Sequence, residues 1–488
     1  MQNKFKNELR QNDMKLQHLK LLFTFSFILC LNGAFAQSHH INVTVEGLKD
    51  TSLILGYYFN KQIFVQDTAY ASPGSDKYIF KGDESLKQGI YVVYLPDKTY
   101  FDLLIGEDQK FEVTTPQTDF IEHLKITGSP ESQSFLNYQR FLSQKQNEAK
   151  VIQEKMQASK ENKEETEKYR QELQALSKEV QSIWLKIYEQ HPNTFLAAFL
   201  KALQEVEVPM FEAPAGSQNP DSVVQRKRYQ YYKDHYFENI DLTDDRLLRT
   251  PFFTDKLERF FTKTLVQIPD TLSKEAHKVI SKSASNEDMY KYLVQFLFNM
   301  ANDSKVMGMD AMMVDLGETY YLSGRASWAD STFLSKLEER VIKLKPNLLG
   351  NVAPDFKMVS YTGEFFRLSE IHAPLTILVF WEPDCGHCKK EVPKLKDEVW
   401  DKYADKGIKI VAVYTHVDLD PWKEFISEHA LEEWINVYDP YNRSNFRNNY
   451  DIYSTPVIYI LDQEKKILAK RIGAEQIPGF LDHYFKFN

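Results

Sequence analysis

Hydrophobic and polar residues alternate along short stretches in the first quarter of the chain. INVTVEG, at residues 41–47, is one of these stretches, and similar runs recur as far as FEVTT, at residues 111–115, with turn sequences such as PGS, KGDE and PDK between them. A period of two, interrupted by turn residues, is typical of strands that bury one face. The pattern predicts a small all-β, sandwich-like domain at residues 37–130. It contains no cluster of His, Asp or Glu that looks catalytic, which favours a binding or scaffold role.

From about residue 131 to residue 345 the apolar positions follow a helical period instead. One stripe recurs at steps of three and four residues and comprises Tyr169, Leu173, Leu176, Val180, Ile183 and Ile187. This spacing places the six side chains on one face of a helix. The stripe is too short for a long coiled coil, so it favours packing inside a domain. We therefore predict a helical domain at residues 131–345, with TGSPES before it and LKPNLLGNVAPDF after it.

Strand and helix patterns alternate from residue 346 to the end of the chain. APDFKMVS and GEFFRLSEI predict a hairpin, and LTILVFW predicts a fully buried strand. CGHCKKEVPKLKDEVWDKYADKG predicts a helix that ends at Gly407, and PWKEFISEHA predicts a helix that begins at Pro421. Alternation of this kind predicts an α/β domain with parallel and antiparallel strand pairs at residues 346–488.

The N-terminus has the features of an export signal. KLQHLK precedes LLFTFSFILCL, an apolar run of about 11 residues, and Ala34-Phe35-Ala36 supplies a cleavage signal. The run is shorter than the roughly 20 apolar residues that span a bilayer. We predict a signal peptide at residues 1–36 and an exported, periplasmic protein that is not inserted in the membrane after cleavage. Leu29 stands before Cys30 where a lipoprotein signal requires a small residue, so we expect no lipid anchor.

Composition and charge narrow the classes of function. The chain of 488 residues is 43% hydrophobic and 26% charged, which is typical of globular proteins. Its formal net charge is −9 at pH 7, and no long basic stripe is present. Because nucleic-acid binding requires clustered Lys and Arg to neutralise phosphates, nucleic acid is not an expected partner.

Cysteine usage points to redox chemistry. Of three cysteines, Cys30 would leave with the signal peptide, so the exported protein would keep Cys385 and Cys388. A secreted fold held by disulfides would carry several pairs spread along the chain, and a loop this short constrains the unfolded chain little. A structural zinc site needs four ligands, and the histidines of this domain show no ligand spacing. We therefore predict no metal and no cofactor, and favour a redox-active dithiol.

The predicted position of the dithiol at the start of a helix has a chemical consequence. Free N–H groups and the helix dipole stabilise a thiolate there and lower its pKa. Cys385 would be the exposed attacking thiolate, and Cys388, one turn later, the shielded thiol that resolves the mixed disulfide. His387 between them would favour the thiolate further, and Gly386 would keep the turn unobstructed.

WEPDCGHCKKEVP, in this strand–helix context, resembles the thioredoxin superfamily. It is most similar to the exported TlpA/ResA-like branch, of the Bacteroidetes type that carries an N-terminal β and helical extension. The resemblance implies that Trp381 forms an aromatic wall near the dithiol and that Glu391 helps to move the proton of the resolving thiol. It also implies a cis peptide bond between Thr455 and Pro456, with the Thr455 backbone free to pair with a substrate strand. Pro393 matches the proline that kinks the active-site helix.

The same resemblance implies a function. It predicts a thioredoxin-like fold for the C-terminal domain and a thiol–disulfide oxidoreductase that reduces protein disulfides, supplied by an electron donor at the membrane. The Gly-His dipeptide between the cysteines departs from the Glu-Pro common in this branch and matches protein disulfide isomerases, so an oxidase or isomerase stays an alternative. A second alternative is a ligand- or partner-binding protein whose redox domain is secondary. The N-terminal domains would recruit the partner or set the oligomeric state.

Overall fold

The computed structural model describes residues 38–487, which fall into two compact units. One unit comprises the described residues up to Asp241 together with Arg246–Lys256, and the other comprises Leu242–Asp245 together with Leu257–Asn488 as far as it is described. The division of the chain at residues 130 and 345 stays a prediction.

Two four-stranded sheets form the β part of the first unit. Their strands are β1 (His39–Val45), β2 (Ser52–Phe59), β3 (Gln62–Tyr70), β4 (Lys77–Gly82), β5 (Gly89–Tyr94), β6 (Tyr100–Ile105), β7 (Lys110–Thr115) and β8 (Lys125–Thr127). One sheet has the order β4-β1-β7-β8 and the other β3-β2-β5-β6. Alternate residues of β1, including Ile41 and Val43, are buried with Leu53 and Leu55 of β2 in one core. The predicted all-β, sandwich-like fold of this region is confirmed, because side chains from both sheets share one apolar core.

Helices follow the β part of the first unit. They are Pro130–Ala158, Lys163–Gln190, Phe195–Leu203 and Pro220–His235, and a short helix, Phe120–His123, lies earlier, between β7 and β8. Polar side chains cap the first turns of the four longer helices. The Asn162 side chain, for example, accepts hydrogen bonds from the N–H groups of Glu164 and Glu165. The six apolar residues predicted to share one face of Lys163–Gln190 are all half-buried, and this helix packs against Pro130–Ala158.

More helices lead up to the C-terminal domain. They are Phe253–Arg259, Pro269–Lys282, Glu287–Asn302, Asp310–Leu316 and Ser331–Leu344, with π-helical turns at Phe260–Thr264 and Gly317–Leu322. Their buried faces carry large apolar side chains such as Leu293, Leu297 and Met312. The helical nature predicted for the middle of the chain is confirmed.

A seven-stranded mixed sheet forms the centre of the C-terminal domain, in the order β10-β9-β13-β12-β11-β14-β15. Its strands are β9 (Lys357–Ser360), β10 (Phe365–Arg367), β11 (Leu375–Trp381), β12 (Lys409–Tyr414), β13 (Ile435–Tyr438), β14 (Val457–Asp462) and β15 (Ile467–Lys470). β11 is parallel to β12 and antiparallel to β14, and all seven of its residues are buried. Ile377 and Val379 point into one core and Leu378 and Phe380 into the other. The predicted hairpin (β9 and β10) and the α/β fold are confirmed.

The helix after the dithiol ends where its sequence predicts. It begins as Cys388–Lys394, continues through the π-helical turn Leu395–Trp400 and stops at Gly407. Gly407 has a φ of 82°, a left-handed conformation that favours glycine after a helix. Pro393 lies inside the helix just before the π-helical turn, which agrees with a proline removing one helical hydrogen bond.

One predicted helix start was wrong. The helix expected to begin at Pro421 begins at Leu419 and runs to Glu428. The side chain of Asp418 caps its first turn by accepting a hydrogen bond from the Asp420 N–H, so the cap precedes the proline. The remaining helices of this domain are Phe446–Asn449 and Ile477–Phe487, while Asp401–Tyr403 is the last α-helical part of the helix that stops at Gly407.

Two ionic clusters join the helices of the second unit to its sheet. The buried Lys470, at the end of β15, forms an ion pair with Asp310. Asp451 is also buried and binds two guanidinium groups, Arg340 at 2.5 Å and Arg471 at 2.8 Å.

Within residues 38–487 no helix combines the length and apolar character needed to cross a membrane. The predicted signal peptide at residues 1–36, with its cleavage after Ala36 and with Cys30, lies outside the described residues.

Candidate active site

The two cysteines lie at the carboxyl end of β11, the strand with β12 on one side and β14 on the other. β11 ends at Trp381, and a short loop leads from Glu382 to the helix that begins at Cys388. Cys385 is half-buried and Cys388 is fully buried, and both carry free thiols. The strand therefore holds the dithiol against the core while one sulfur stays accessible.

Cys385 receives hydrogen bonds from the start of the helix. The Cys388 N–H donates to Cys385 Sγ at 3.2 Å. Burial by itself raises the pKa of the Cys385 thiol. Hydrogen bonds with the side chains of Cys388 and Thr455 and from the N–H groups of Cys388 and His387 outweigh burial and lower this pKa below its ordinary value. A lowered pKa increases the thiolate fraction at neutral pH, and the thiolate is the nucleophilic form.

Cys388 has the opposite environment. Its side chain belongs to the apolar core on one face of the sheet, with Val392 and Ile477. Burial is the main cause that raises the pKa of Cys388 to about 12, and the hydrogen bond with Cys385 adds to it. Cys388 therefore stays protonated at neutral pH until a base removes its proton.

The loop before β14 faces the nucleophile. The peptide bond between Thr455 and Pro456 is cis, as predicted. The Thr455 carbonyl oxygen accepts a hydrogen bond from Cys385 Sγ at 3.1 Å. The structure thus brings together residues 70 positions apart in the chain. Pairing of the Thr455 backbone with a substrate strand stays a prediction.

Glu391 lies on the dithiol helix, three residues after Cys388. Its carboxylate accepts a hydrogen bond from the Ala474 N–H at 2.8 Å and lies 3.7 Å from the Lys394 ammonium. The side chain is half-buried. These contacts fix the carboxylate near the start of the last helix, and its role in proton transfer stays a prediction.

The other predicted site residues surround the cysteines. Trp381 is fully buried in the core that contains Cys388, and its ring lies 4.9 Å from that of Phe425, centroid to centroid. His387 is exposed at the N-cap position of the helix. A Cβ atom added to Gly386 would meet no heavy atom within 4 Å, so the space around Gly386 would accept a side chain.

Sequence reasoning missed Glu382, which follows Trp381 directly. Its carboxylate accepts hydrogen bonds from the hydroxyl groups of Thr455, at 2.9 Å, and Thr415, at 3.3 Å, and pairs with His416 Nε2. The only sequence signal for Glu382 is an acidic residue between β11 and the dithiol. Its partners Thr415 and Thr455 lie 33 and 73 positions away, so no local pattern connects them to it. Across residues 38–487, no group of three or more His, Cys, Asp or Glu side chains is arranged to hold a metal ion.

Two family models match different parts of the chain. Residues 349–470 match the model of the AhpC/TSA family, and residues 39–135 match a domain of unknown function, DUF4369. A thiol-disulfide oxidoreductase ResA of Bacillus cereus is 26% identical over 136 residues, which cover 27% of this chain and 76% of ResA. The thioredoxin-like protein YneN of Bacillus subtilis (strain 168) is 26% identical over 129 residues, covering 25% and 71%.

A solved structure is also similar. A domain of a possible thiol-disulfide isomerase from Cytophaga hutchinsonii ATCC 33406 shares 44% sequence identity. The match covers 28% of this chain and 94% of that domain, with a TM-score of 0.27.

Proposed function

We propose that this chain, whose C-terminal domain belongs to the thioredoxin-like AhpC/TSA family and is homologous to ResA, is an exported enzyme that reduces protein disulfides. The family resemblance, the thioredoxin-like fold and the thiol–disulfide oxidoreductase class are as predicted. Periplasmic location, the direction of electron flow and the role of each site residue belong to the proposal.

The unequal environments of the two thiols carry the proposal. Cys385 is accessible and has a lowered pKa, whereas Cys388 is buried with a pKa of about 12. A structural disulfide needs no such difference between its sulfurs. A two-step exchange does, because the first thiol must be a nucleophile and the second must stay inactive until the mixed disulfide has formed.

The exchange proceeds in two balanced steps. The Cys385 thiolate attacks one sulfur of the substrate disulfide, so a bond from Cys385 to that sulfur forms while the substrate S–S bond breaks and one substrate thiolate leaves. Cys388 then loses its proton, with Glu391 assisting, and attacks the Cys385 sulfur. The second substrate thiolate leaves, and the Cys385–Cys388 disulfide forms. Two electrons have passed to the substrate, and an electron donor at the membrane restores the dithiol.

The remaining residues shape the site in this proposal. His387 and Gly386 stand in the loop between the cysteines, and Trp381 supports that loop from the core. The Thr455–Pro456 loop presents main-chain groups to the substrate beside Cys385. Residues 37–345 recruit the substrate protein or set the oligomeric state, and residues 346–488 perform the chemistry.

Disulfide formation or isomerisation is the second candidate function, and the Gly386-His387 dipeptide favours it. The two directions differ in the reduction potential of the dithiol, which equilibration with glutathione buffers measures. A potential at or below about −250 mV supports the reductase. A potential of about −180 to −120 mV would refute it and assign an oxidase or isomerase.

A further inference from the structure

Glu382 ties together the three loops that surround the dithiol. We propose that Glu382 is a positioning residue, which holds the Thr455–Pro456 loop against Cys385 and so sets the geometry in which the nucleophile meets a substrate disulfide. The inference rests on the proposed dithiol exchange. It assigns a role to a carboxylate that the two-step exchange itself does not use.

The first argument is that one residue fixes both the nucleophile and the loop opposite it. The Glu382 carbonyl oxygen accepts a hydrogen bond from the Cys385 N–H at 3.4 Å, while its side-chain Oε1 accepts from the Thr455 hydroxyl at 2.9 Å. The Thr455 carbonyl oxygen lies 3.1 Å from Cys385 Sγ. A shift of the Thr455 loop would therefore move its carbonyl relative to the reacting sulfur.

The second argument is that the other carboxylate oxygen reaches the third loop. Oε2 accepts from the Thr415 hydroxyl at 3.3 Å and pairs with His416 Nε2. The main chain of Thr415 is held as well, because its N–H donates to the Trp381 carbonyl at 3.1 Å and its carbonyl accepts from Arg447 at 2.6 Å. The loop after β12 thus gives the carboxylate a fixed support.

The third argument concerns the type of side chain. An ionised carboxylate accepts on both oxygens, whereas an amide has one accepting oxygen and two donor hydrogens. Glutamine at position 382 could keep the Thr455 bond only by turning its NH2 group toward Thr415 and His416. The Glu382 side chain is 25% exposed, and both of its oxygens have partners. Hydrogen bonds to a charged group are stronger than neutral ones, which restricts the motion of all three loops.

Positioning acts on the rate of the first step. Attack by Cys385 forms one S–S bond and breaks another, so the incoming sulfur must align with the substrate disulfide. Misplacing reacting groups by about 1 Å can cost about 100-fold in rate. If Glu382 works through Thr455, its loss slows exchange with a peptide disulfide. Alkylation of Cys385 by a small reagent needs the thiolate but no opposing loop, so that reaction should not slow.

The test uses the full chain and a short peptide with one disulfide. The variants are Glu382→Ala, Glu382→Gln, Thr455→Val and the double variant Glu382→Ala/Thr455→Val. Asp384→Asn is the matched control, because Asp384 is an exposed acidic residue of the same loop. The readouts are kcat/KM for reduction of the peptide disulfide, the rate of iodoacetamide alkylation of Cys385 and the melting temperature.

We expect Glu382→Ala and Thr455→Val each to lower kcat/KM at least about tenfold. The kcat/KM of Glu382→Gln should lie between that of the wild type and that of Glu382→Ala. The double variant should be no slower than the slower single variant, because both act through one contact. Asp384→Asn should match the wild type. Thr455→Val also removes a hydrogen bond that lowers the Cys385 pKa, so alkylation is compared at a pH at which Cys385 is fully ionised, and there no variant should be alkylated more slowly.

Three results would overturn the inference: wild-type kcat/KM in Glu382→Ala, multiplied losses in the double variant, or an equal loss in Asp384→Asn. If Glu382→Ala does not fold, Glu382→Gln and Thr455→Val decide, and wild-type kcat/KM in both would refute the inference. A wild-type chain that does not exchange with the peptide at all would instead refute the proposed function.

Discussion

At the scale of the residue, the chemistry of the site depends on two thiols that differ in burial and in hydrogen bonding. Cys385 accepts a hydrogen bond from the Cys388 N–H at the start of a helix, and its pKa is lowered. Cys388 is buried among apolar side chains, and its pKa is raised to about 12. Three residues of spacing are enough for this difference, because one helical turn carries the second sulfur from the surface into the core.

This difference predicts a selective reaction with iodoacetamide. Because the Cys385 pKa is lowered, its thiolate forms at a lower pH than that of an ordinary cysteine, so the midpoint of its alkylation rate should lie below the midpoint for a free cysteine. Cys388 should stay unmodified at neutral pH. In Cys388→Ala the midpoint should rise, since the hydrogen bond from the Cys388 thiol is lost. Mass spectrometry of the reduced protein over a pH series measures the alkylation of each cysteine. Equal labelling of the two thiols would contradict the prediction.

Glu391 allows a second prediction at this scale, which separates proton transfer from structural support. Glu391→Gln keeps an oxygen that can accept from the Ala474 N–H but removes the charge. If the carboxylate assists deprotonation of Cys388, the mixed disulfide should resolve at least about tenfold more slowly in this variant, in line with the usual contribution of a general base. The melting temperature should change little. The measurement is the rate at which the mixed disulfide disappears, followed by mass spectrometry after rapid mixing and quenching. If this rate is unchanged and only the melting temperature falls, Glu391 has a structural role only.

At the scale of the element, β11 is what connects the site to the fold. It pairs with β12 on one side and β14 on the other, and its side chains alternate between the two cores. The dithiol follows shortly after its last residue. Two partners of Glu382, Thr415 and His416, follow β12, and its third partner, Thr455, forms the cis bond that precedes β14. Three adjacent strands therefore deliver all three loops of the site to one edge of the sheet.

Truncating a β11 side chain should accordingly destabilise the whole domain. Ile377→Ala removes a side chain that is 0% exposed, and such a change in a core costs about 2–5 kcal/mol. Ile342→Ala is the matched control, because Ile342 is 63% exposed and its loss should change the free energy of unfolding by less than about 0.5 kcal/mol. Chemical denaturation measures both, and similar losses in the two variants would contradict the role of β11.

At the scale of the whole molecule, polar contacts attach helices of the second unit to its sheet. Lys470 is buried, donates to the Asn347 carbonyl at 2.9 Å and pairs with Asp310. Burial, opposed by the charge of Asp310, lowers the pKa of Lys470. Removing the partner of such a buried charge strongly lowers the free energy of unfolding, whereas replacing both residues by an apolar pair of similar size often does not.

This contact predicts an unequal response to single and double substitution. Asp310→Leu should cost about 3–5 kcal/mol, since it leaves Lys470 buried without its ion pair. Lys470→Met/Asp310→Leu should be clearly more stable than Asp310→Leu. Glu318→Gln is the control, because it breaks the exposed pair with Lys345 and should cost at most about 1 kcal/mol. Urea denaturation decides, and a double variant no more stable than Asp310→Leu would contradict the prediction.

Features that depend on neighbouring residues could be predicted from the sequence. The alternation of β1 and β2, the buried run of β11 and the end of a helix at Gly407 all follow from local spacing and from the φ that glycine tolerates. The helix predicted from Pro421 began two residues earlier, because a side-chain cap at Asp418 provided a competing local signal. The dithiol and the cis bond before Pro456 were recognisable because each has a short motif.

The sequence alone thus indicates most strands and helices, the two cysteines proposed as reactive, and the family that the C-terminal domain resembles. Only the tertiary structure decides how unequal the two thiols are and which carboxylate touches the loops around them. Cys388 acquires its pKa from core residues supplied by distant elements, and Glu382 finds Thr455 across 73 positions of chain. Burial and hydrogen-bond partners of this kind arise when the sheet brings distant loops together, so no local pattern of residue types can encode them.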